Sequence, residues 1–292
     1  MNIGVTSFGF RHLLLDQSGV PSLLRVVKRA RALGFDALQI CENARPMALG
    51  EAQWQEVVRE AAEAGLEIQL GCKTVDLDVL RAYAGRAACL PGRLLRVVLE
   101  RDDGPLITGE DVKNFLAGAW PILAPYDLRL AIENHYDLPS RVLVQAVGPY
   151  SARRVGFCVD TANSLRNFES PELVMELLGE RAFSYHLKDF VVEGDRLGFR
   201  VGGACLGDGH LHLDLILDAI LARHERPRIY IEHWRRGIGN RETDVREDED
   251  WLRRSLEVLR GRLRVAQVSR LLRCQRPAPI PVRETPALHE SE

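Results

Sequence analysis

The feature that most constrains this chain is a recurring pattern. An amphipathic stretch closes on glycine, and a short apolar run follows. In "SLLRVVKRARALG", Leu23, Leu24, Val27, Ala30 and Leu33 recur at helical spacing before Gly34, and "FDALQIC" then reads as a strand. In "EAQWQEVVREAAEAG", Trp54, Val57, Val58, Ala61 and Ala62 precede Gly65, and "LEIQLGC" follows. "DLDVLRAYAGRAACL" leads in the same way to "LLRVVLE". A 3.6-residue apolar period that stops at glycine marks a helix, and a short apolar run marks a strand. Their alternation argues for parallel strands joined by crossover helices.

Eight strands are expected, at Ile3–Phe8, Ala37–Cys41, Glu67–Cys72, Leu94–Leu99, Arg129–Asn134, Val155–Val159, Phe183–Leu187 and Arg228–Glu232. The last helix is expected near Asp248–Arg260. Eight such units fit an α/β chain folded as a (β/α)8 TIM barrel, which ordinarily takes about 250 residues. A doubly wound open sheet is the alternative, but "SFGFRHLLL" after the first strand lacks G-x-G-x-x-G, which disfavours its dinucleotide-binding form. "FVVEGDRLGFRV" (Phe190–Val201) reads as a β-hairpin with a Gly-Asp turn, inserted after strand seven. The barrel is therefore assigned to residues 1–262. Residues 263–292, with the Pro-rich "CQRPAPIPVRETPALHESE", form an extended or disordered C-terminal arm that could lie on a neighbouring subunit.

Composition narrows the function classes. Apolar residues make up 46% and charged residues 27% of the 292, the balance of a soluble enzyme. A net charge of −2 gives no general attraction to nucleic acid or to an anionic membrane. No apolar run approaches the roughly 18 residues of a membrane span. "MNIGVTSFGF" lacks the parts of a secretory signal. The six cysteines are scattered without a C-x-x-C pair, as expected of reduced, mostly buried thiols in a cytoplasmic protein.

The chemistry gathers at the ends of strands five to eight. "LAIENH" reaches Glu133, "GFCVDTAN" Asp160, "SYHLKD" His186 and "IYIEHW" Glu232. In a barrel all strand C-termini open on one mouth. Strand residues two apart share a face, so Ala131, Cys158, Ser184 and Tyr230 lie on the same face as the four candidates, and the opposite parity is apolar. One polar strand end is ordinarily a solvated loop residue; four on successive strands point to a shared ligand. Three carboxylates and an imidazole suit one divalent ion, Mn²⁺ above all, with Mg²⁺, Co²⁺ and Zn²⁺ compatible. Without a cation, clustered carboxylates repel one another and are pushed toward protonation.

At "IENH", "VDTAN", "HLKD", "LGDGHLHL" and "IEHW", in that order, the sequence resembles the sugar isomerase/epimerase superfamily with a xylose-isomerase-like TIM barrel. The resemblance covers residues 1–260 in architecture. It implies that Glu133, Asp160, His186 and Glu232 bind one divalent metal and that Glu133 and Glu232 serve as acid and base. The substrate would chelate the ion through a carbonyl and a neighbouring hydroxyl, and the ion would stabilise an enediolate. Departures are specific. Ketose 3-epimerases of the superfamily carry His where this chain has Asn163 and Arg where it has Val192; both contact the sugar there. "LQICEN" with "LGCKT" resembles members acting on 3-oxo sugar acids, including decarboxylases. The DNA-cutting branch needs histidines at strand ends that this chain lacks, which excludes nucleic acid as partner.

Secondary candidates follow from parity and position. His135 shares a face with Glu133 and is a candidate substrate contact, as are Asn163, His210 in "GDGH", and Trp234, which shares a face with Glu232. Lys188 shares a face with His186 and is a candidate catalytic residue for a carboxylate or an enolate oxygen, or else a salt-bridge partner of the ligands. Lys73 is a candidate anion contact or a surface lysine, and Phe8 and Phe10 are candidate pocket walls. The leading expectation is a metal-dependent isomerase or epimerase on a small carbohydrate. The alternatives are a decarboxylase of a 3-oxo sugar acid and a non-catalytic barrel subunit. A homo-oligomer is expected.

Overall fold

A computed structural model describes residues 2–14 and 20–274. Eight parallel strands close a barrel: β1 (Ile3–Thr6), β2 (Ala37–Ile40), β3 (Glu67–Lys73), β4 (Leu94–Val98), β5 (Arg129–Glu133), β6 (Val155–Asp160), β7 (Ala182–Leu187) and, after a hairpin, β10 (Ile229–Ile231), which pairs with β1 and β7. The hairpin strands are β8 (Asp189–Asp195) and β9 (Gly198–Ala204). All eight expected strands are present. The strands are buried on both faces along most of their length, which is why they read as continuous apolar runs.

The outer ring consists of α1 (Arg11–Leu14), α2 (Val20–Leu33), α3 (Glu51–Glu63), α4 (Leu77–Ala88), α5 (Gly109–Leu123), α6 (Ser140–Val147), α7 (Pro171–Leu178), α8 (Leu213–Arg223) and α9 (Arg241–Cys274). Local chemistry starts several of them. Asp76 accepts from the backbone of Asp78 and Val79, Thr108 and Asp111 cap α5 reciprocally, and Ser170 precedes Pro171 at the start of α7. Such caps satisfy donors that a helix cannot pair internally. Trp54 is fully buried beneath the Arg86 guanidinium, 5.4 Å from its ring centre.

Three boundaries differ from expectation. The chain leaves β1 at Thr6 and enters a 3-10 turn at Ser7–Phe10, so Phe8 and Phe10 lie beyond the strand. Phe10 is sealed in the core and makes no pocket wall; Phe8 stays half-buried. The hairpin turns at Arg196–Leu197, with Asp195 opposite Gly198. Gly194 and Asp195 are strand residues, so the expected Gly-Asp turn is displaced by two positions. Helix α9 continues through Cys274, so residues 263–274 are helical and not extended. The Pro-rich remainder lies outside the described residues. Cys41, Cys72, Cys158 and Cys205 are buried free thiols, and Cys89 is an exposed one. Among the described residues no helix is long and apolar enough to cross a membrane.

Candidate active site

The ladder register assembles the site. Asp160 stands opposite His186 and His186 opposite Tyr230, with Glu232 two residues beyond Tyr230. Glu133 faces Cys158 across β5 and β6. The large Tyr230 ring fits inside because β1 offers Gly4 beside it; a Cβ on Gly4 would fall 2.4 Å from the ring. The four expected ligands therefore meet, and all four are buried. His186 Nδ1 lies 3.3 Å from Glu133 Oε2, 3.3 Å from Glu232 Oε2 and 3.9 Å from Asp160 Oδ2.

His186 Nδ1 and Glu232 Oε2 are sealed from solvent without a hydrogen-bond partner, and Asp160 Oδ2, equally sealed, has the Lys188 ammonium beside it. Buried polar atoms left unpaired are costly, and acceptors that converge on one point are what a cation would satisfy. Asp160, His186 and Glu232 form one trio of donor atoms within 4.8 Å of one another, and Glu133, Cys158 and His186 form another. Burial pushes the Cys158 thiol up, which favours the oxygen donors over sulfur. The donor set fits a divalent ion, and Glu133, Asp160, His186 and Glu232 are the residues that would hold it.

Asp160 and His186 are oriented from behind. Asp160 Oδ1 accepts from the backbone of Ala162 and Asn163, both at 2.8 Å. Asn134 donates to the Asp160 carbonyl and accepts from the Asp160 amide, at 2.9 and 2.8 Å, locking β5 to β6. His186 Nε2 lies 2.9 Å from Gln39 Oε1.

Two cations enter the cage. Lys188 Nζ is 2.6 Å from Glu232 Oε1, 3.1 Å from Asp160 Oδ2 and 3.0 Å from Asn163 Oδ1. Burial opposes its charge, but Asp160 and Glu232 outweigh it and hold the ammonium well above the ordinary lysine range. Arg96 points inward from β4. Its Nε is bonded to Glu133 Oε2, and its Nη1 reaches Glu42 Oε2 at 3.0 Å. Burial would raise the Glu133 carboxyl, yet Arg96 and then His186 hold it well below the usual range. The stem of Arg96 crosses Gly71 on β3, where a Cβ would fall 2.9 Å from its Cδ.

The remaining candidates divide. Asn163 joins the cage, donating to Glu133 Oε1 at 3.0 Å. Trp234 stands beside Lys188, whose Nζ is 5.8 Å from the ring centre. His135 faces Glu100 on the strand-four side. Lys73 pairs with Glu100 and Asp102 at the rim. His210 is exposed; its ring lies near the Phe190 carbonyl and the Val192 amide, and no contact joins it to the cage. Asp189 explains its position. That carboxylate accepts from the backbone of Phe190, Gly207, Gly209 and Leu211 and draws the glycine loop to the foot of the hairpin. Arg96, Gln39, Gln69 and Glu42 were not among the sequence candidates. The available signal was a charge or an amide in the middle of an apolar run, as in "LLRVV", "ALQI" and "EIQLG".

The family model of the xylose isomerase-like TIM barrel matches residues 27–255. The chain belongs to this family. Within the xylose isomerase-like barrels, a 3-oxo-isoapionate decarboxylase of Pectobacterium atrosepticum is 26% identical over 264 residues, 89% of this chain and 95% of that protein. The structure of L-ribulose 3-epimerase superposes with a TM-score of 0.72 at 14% identity, covering 95% of this chain and 99% of that one. The IOLI protein, solved with a zinc atom, superposes at 0.68 with 15% identity, covering 89% and 98%. At these identities the two structures share the barrel fold with this chain.

Proposed function

We propose that this protein is a divalent-metal-dependent decarboxylase of a 3-oxo sugar acid. The carrying observation is the pair of buried cations, Arg96 and Lys188, set into a cage of carboxylates. A divalent ion among Glu133, Asp160, Glu232 and the nearby Glu42 would leave about two negative charges, and an acid would be repelled. Arg96 and Lys188 bring that balance to neutral and admit a carboxylate. The similarity to a 3-oxo-isoapionate decarboxylase over 89% of the chain supports the same reading. Asn163 and Val192, which replace the sugar-contacting His and Arg of ketose 3-epimerases, weigh against epimerisation. So does Glu133, whose carboxylate is held by Arg96 and is a weak base for a C–H proton.

The reaction asks little of a base. The bond from the α-carbon to the carboxylate breaks, carbon dioxide leaves, and the electron pair moves toward the 3-oxo group. A divalent ion held by Glu133, Asp160, His186 and Glu232 would supply the electrophile for this charge. Lys188 Nζ carries the proton that the α-carbon then takes, and water replaces it on the amine. Asp160 and Glu232, which hold that ammonium here, are among the residues that would hold the ion. Trp234 walls the Lys188 side against water, and Asn163 holds both Lys188 and Glu133 in place.

Protein loaded with Mn²⁺ and given 3-oxo-isoapionate should release carbon dioxide and incorporate one solvent deuterium at the α-carbon in D₂O. Solvent exchange or isomerised product without carbon dioxide would overturn the decarboxylase reading in favour of an isomerase or epimerase.

A further inference from the structure

The barrel interior holds a line of amides that leads to the metal cage from below. Gln39 on β2 and Gln69 on β3 stand opposite each other in the ladder, and both are buried. Gln39 Nε2 donates to Gln69 Oε1 at 3.0 Å. Gln39 Oε1 faces His186 Nε2 at 2.9 Å, and the Cys41 thiol approaches the same oxygen at 3.4 Å. The Cys41 thiol, a donor, approaches the same Gln39 atom as the imidazole does, which fits an oxygen at that position and the amide nitrogen turned toward Gln69. An oxygen that faces Nε2 requires a proton on that nitrogen. The other ring nitrogen, Nδ1, is the one aimed at Glu133, Asp160 and Glu232, and it has no hydrogen-bond partner.

We infer that Gln39 is the positioning residue of the metal centre. It holds the His186 proton on Nε2 and so presents the Nδ1 lone pair to the ion, with Gln69 fixing the amide. The usual partner of a ligating imidazole is a carboxylate or a backbone carbonyl; here it is a neutral side-chain amide reached across the barrel from β2. This choice adds no negative charge beneath a cage that already contains three carboxylates. The inference rests on the metal reading of the cage and is independent of which sugar acid is turned over.

The test uses the full chain, with metal uptake and the state of the His186 ring as readouts. Gln39→Leu should weaken Mn²⁺ and Zn²⁺ binding by about 10- to 100-fold in equilibrium dialysis. Gln39→Glu, which keeps an acceptor in place, should stay within about threefold of the natural protein. In zinc-loaded, ¹⁵N-histidine-labelled protein, His186 should show a proton on Nε2 and metal on Nδ1, a measurement that needs no variant to fold. A zinc-bound Nε2, or a folded Gln39→Leu protein with undiminished affinity, would overturn the role of Gln39. Natural protein that takes up neither ion would overturn the metal reading itself.

Discussion

The indole of Trp234 occupies the place that a side chain at Gly203 would need. A Cβ there would fall 1.7 Å from Trp234 Cδ1. The hairpin backbone thus rests directly on the ring that flanks Lys188. Overpacked contacts of this kind typically cost about 1–3 kcal/mol. Gly203→Ala should therefore shift Trp234, change tryptophan emission, and raise KM about tenfold or more while the barrel stays folded. Steady-state kinetics with emission spectra would check this.

Lys188 separates two roles. Lys188→Met should lower kcat by about 100-fold or more, the usual contribution of a positioned proton donor. Metal affinity should hold or tighten, because the ammonium no longer competes for Asp160 and Glu232. A parallel loss of metal and turnover, read by dialysis and carbon dioxide release, would reduce Lys188 to a counter-ion.

The cage itself predicts a linkage to stability. An ion that binds only the folded chain stabilises it by about 2.7 kcal/mol at 100 times Kd, which for a domain of this size raises Tm by about 4–5 °C. Mn²⁺ should produce such a shift in scanning calorimetry, chelator should reverse it, and Glu133→Gln should shrink it.

Asp189 accepts backbone hydrogens from four residues at the foot of the hairpin. Removing a buried acceptor strands each donor at about 1–3 kcal/mol. Asp189→Ala should lower stability by about 3 kcal/mol or more and speed amide exchange at Gly207, Gly209 and Leu211, whereas Asp189→Asn should recover part of the loss. Hydrogen exchange with mass spectrometry reads both.

The loop after β10 gives a pH dependence. A hydrogen bond from Arg235, then the amides of Ile238 and Gly239, hold Asp244 down at about 2, against an ordinary 3.8. A carboxyl depressed in the folded state binds fewer protons than in the unfolded chain. Its stabilisation is present above about 3.8 and is lost as pH falls through about 2. Arg235→Met should lower Tm at neutral pH and flatten the decline between pH 4 and pH 2, as followed by circular dichroism.

The eight strands and the meeting of Glu133, Asp160, His186 and Glu232 were legible because both follow from periodicity. Burial on both faces makes each strand an apolar run, and parity places Glu133, Asp160, His186 and Glu232 on the inner face. Arg96, Gln39 and Gln69 obey the same parity, yet they sit in mid-strand, and only the closed barrel reveals that their long side chains rise from the interior to the mouth. The position of His210 was hidden for another reason. Its glycine neighbours signal a turn, but the direction of that turn is set by Asp189, some twenty residues earlier. The length of α9 was hidden by its weak apolar patterning: among the described residues its buried leucines end at Leu263.

Arg96 and Gly71 also impose an order on change. With Arg96 in place, any side chain at position 71 collides with its stem. With Arg96 shortened first, that space opens and Glu42 and Glu133 lose their shared counter-ion. Position 71 can therefore carry a side chain without crowding only after Arg96 has been shortened.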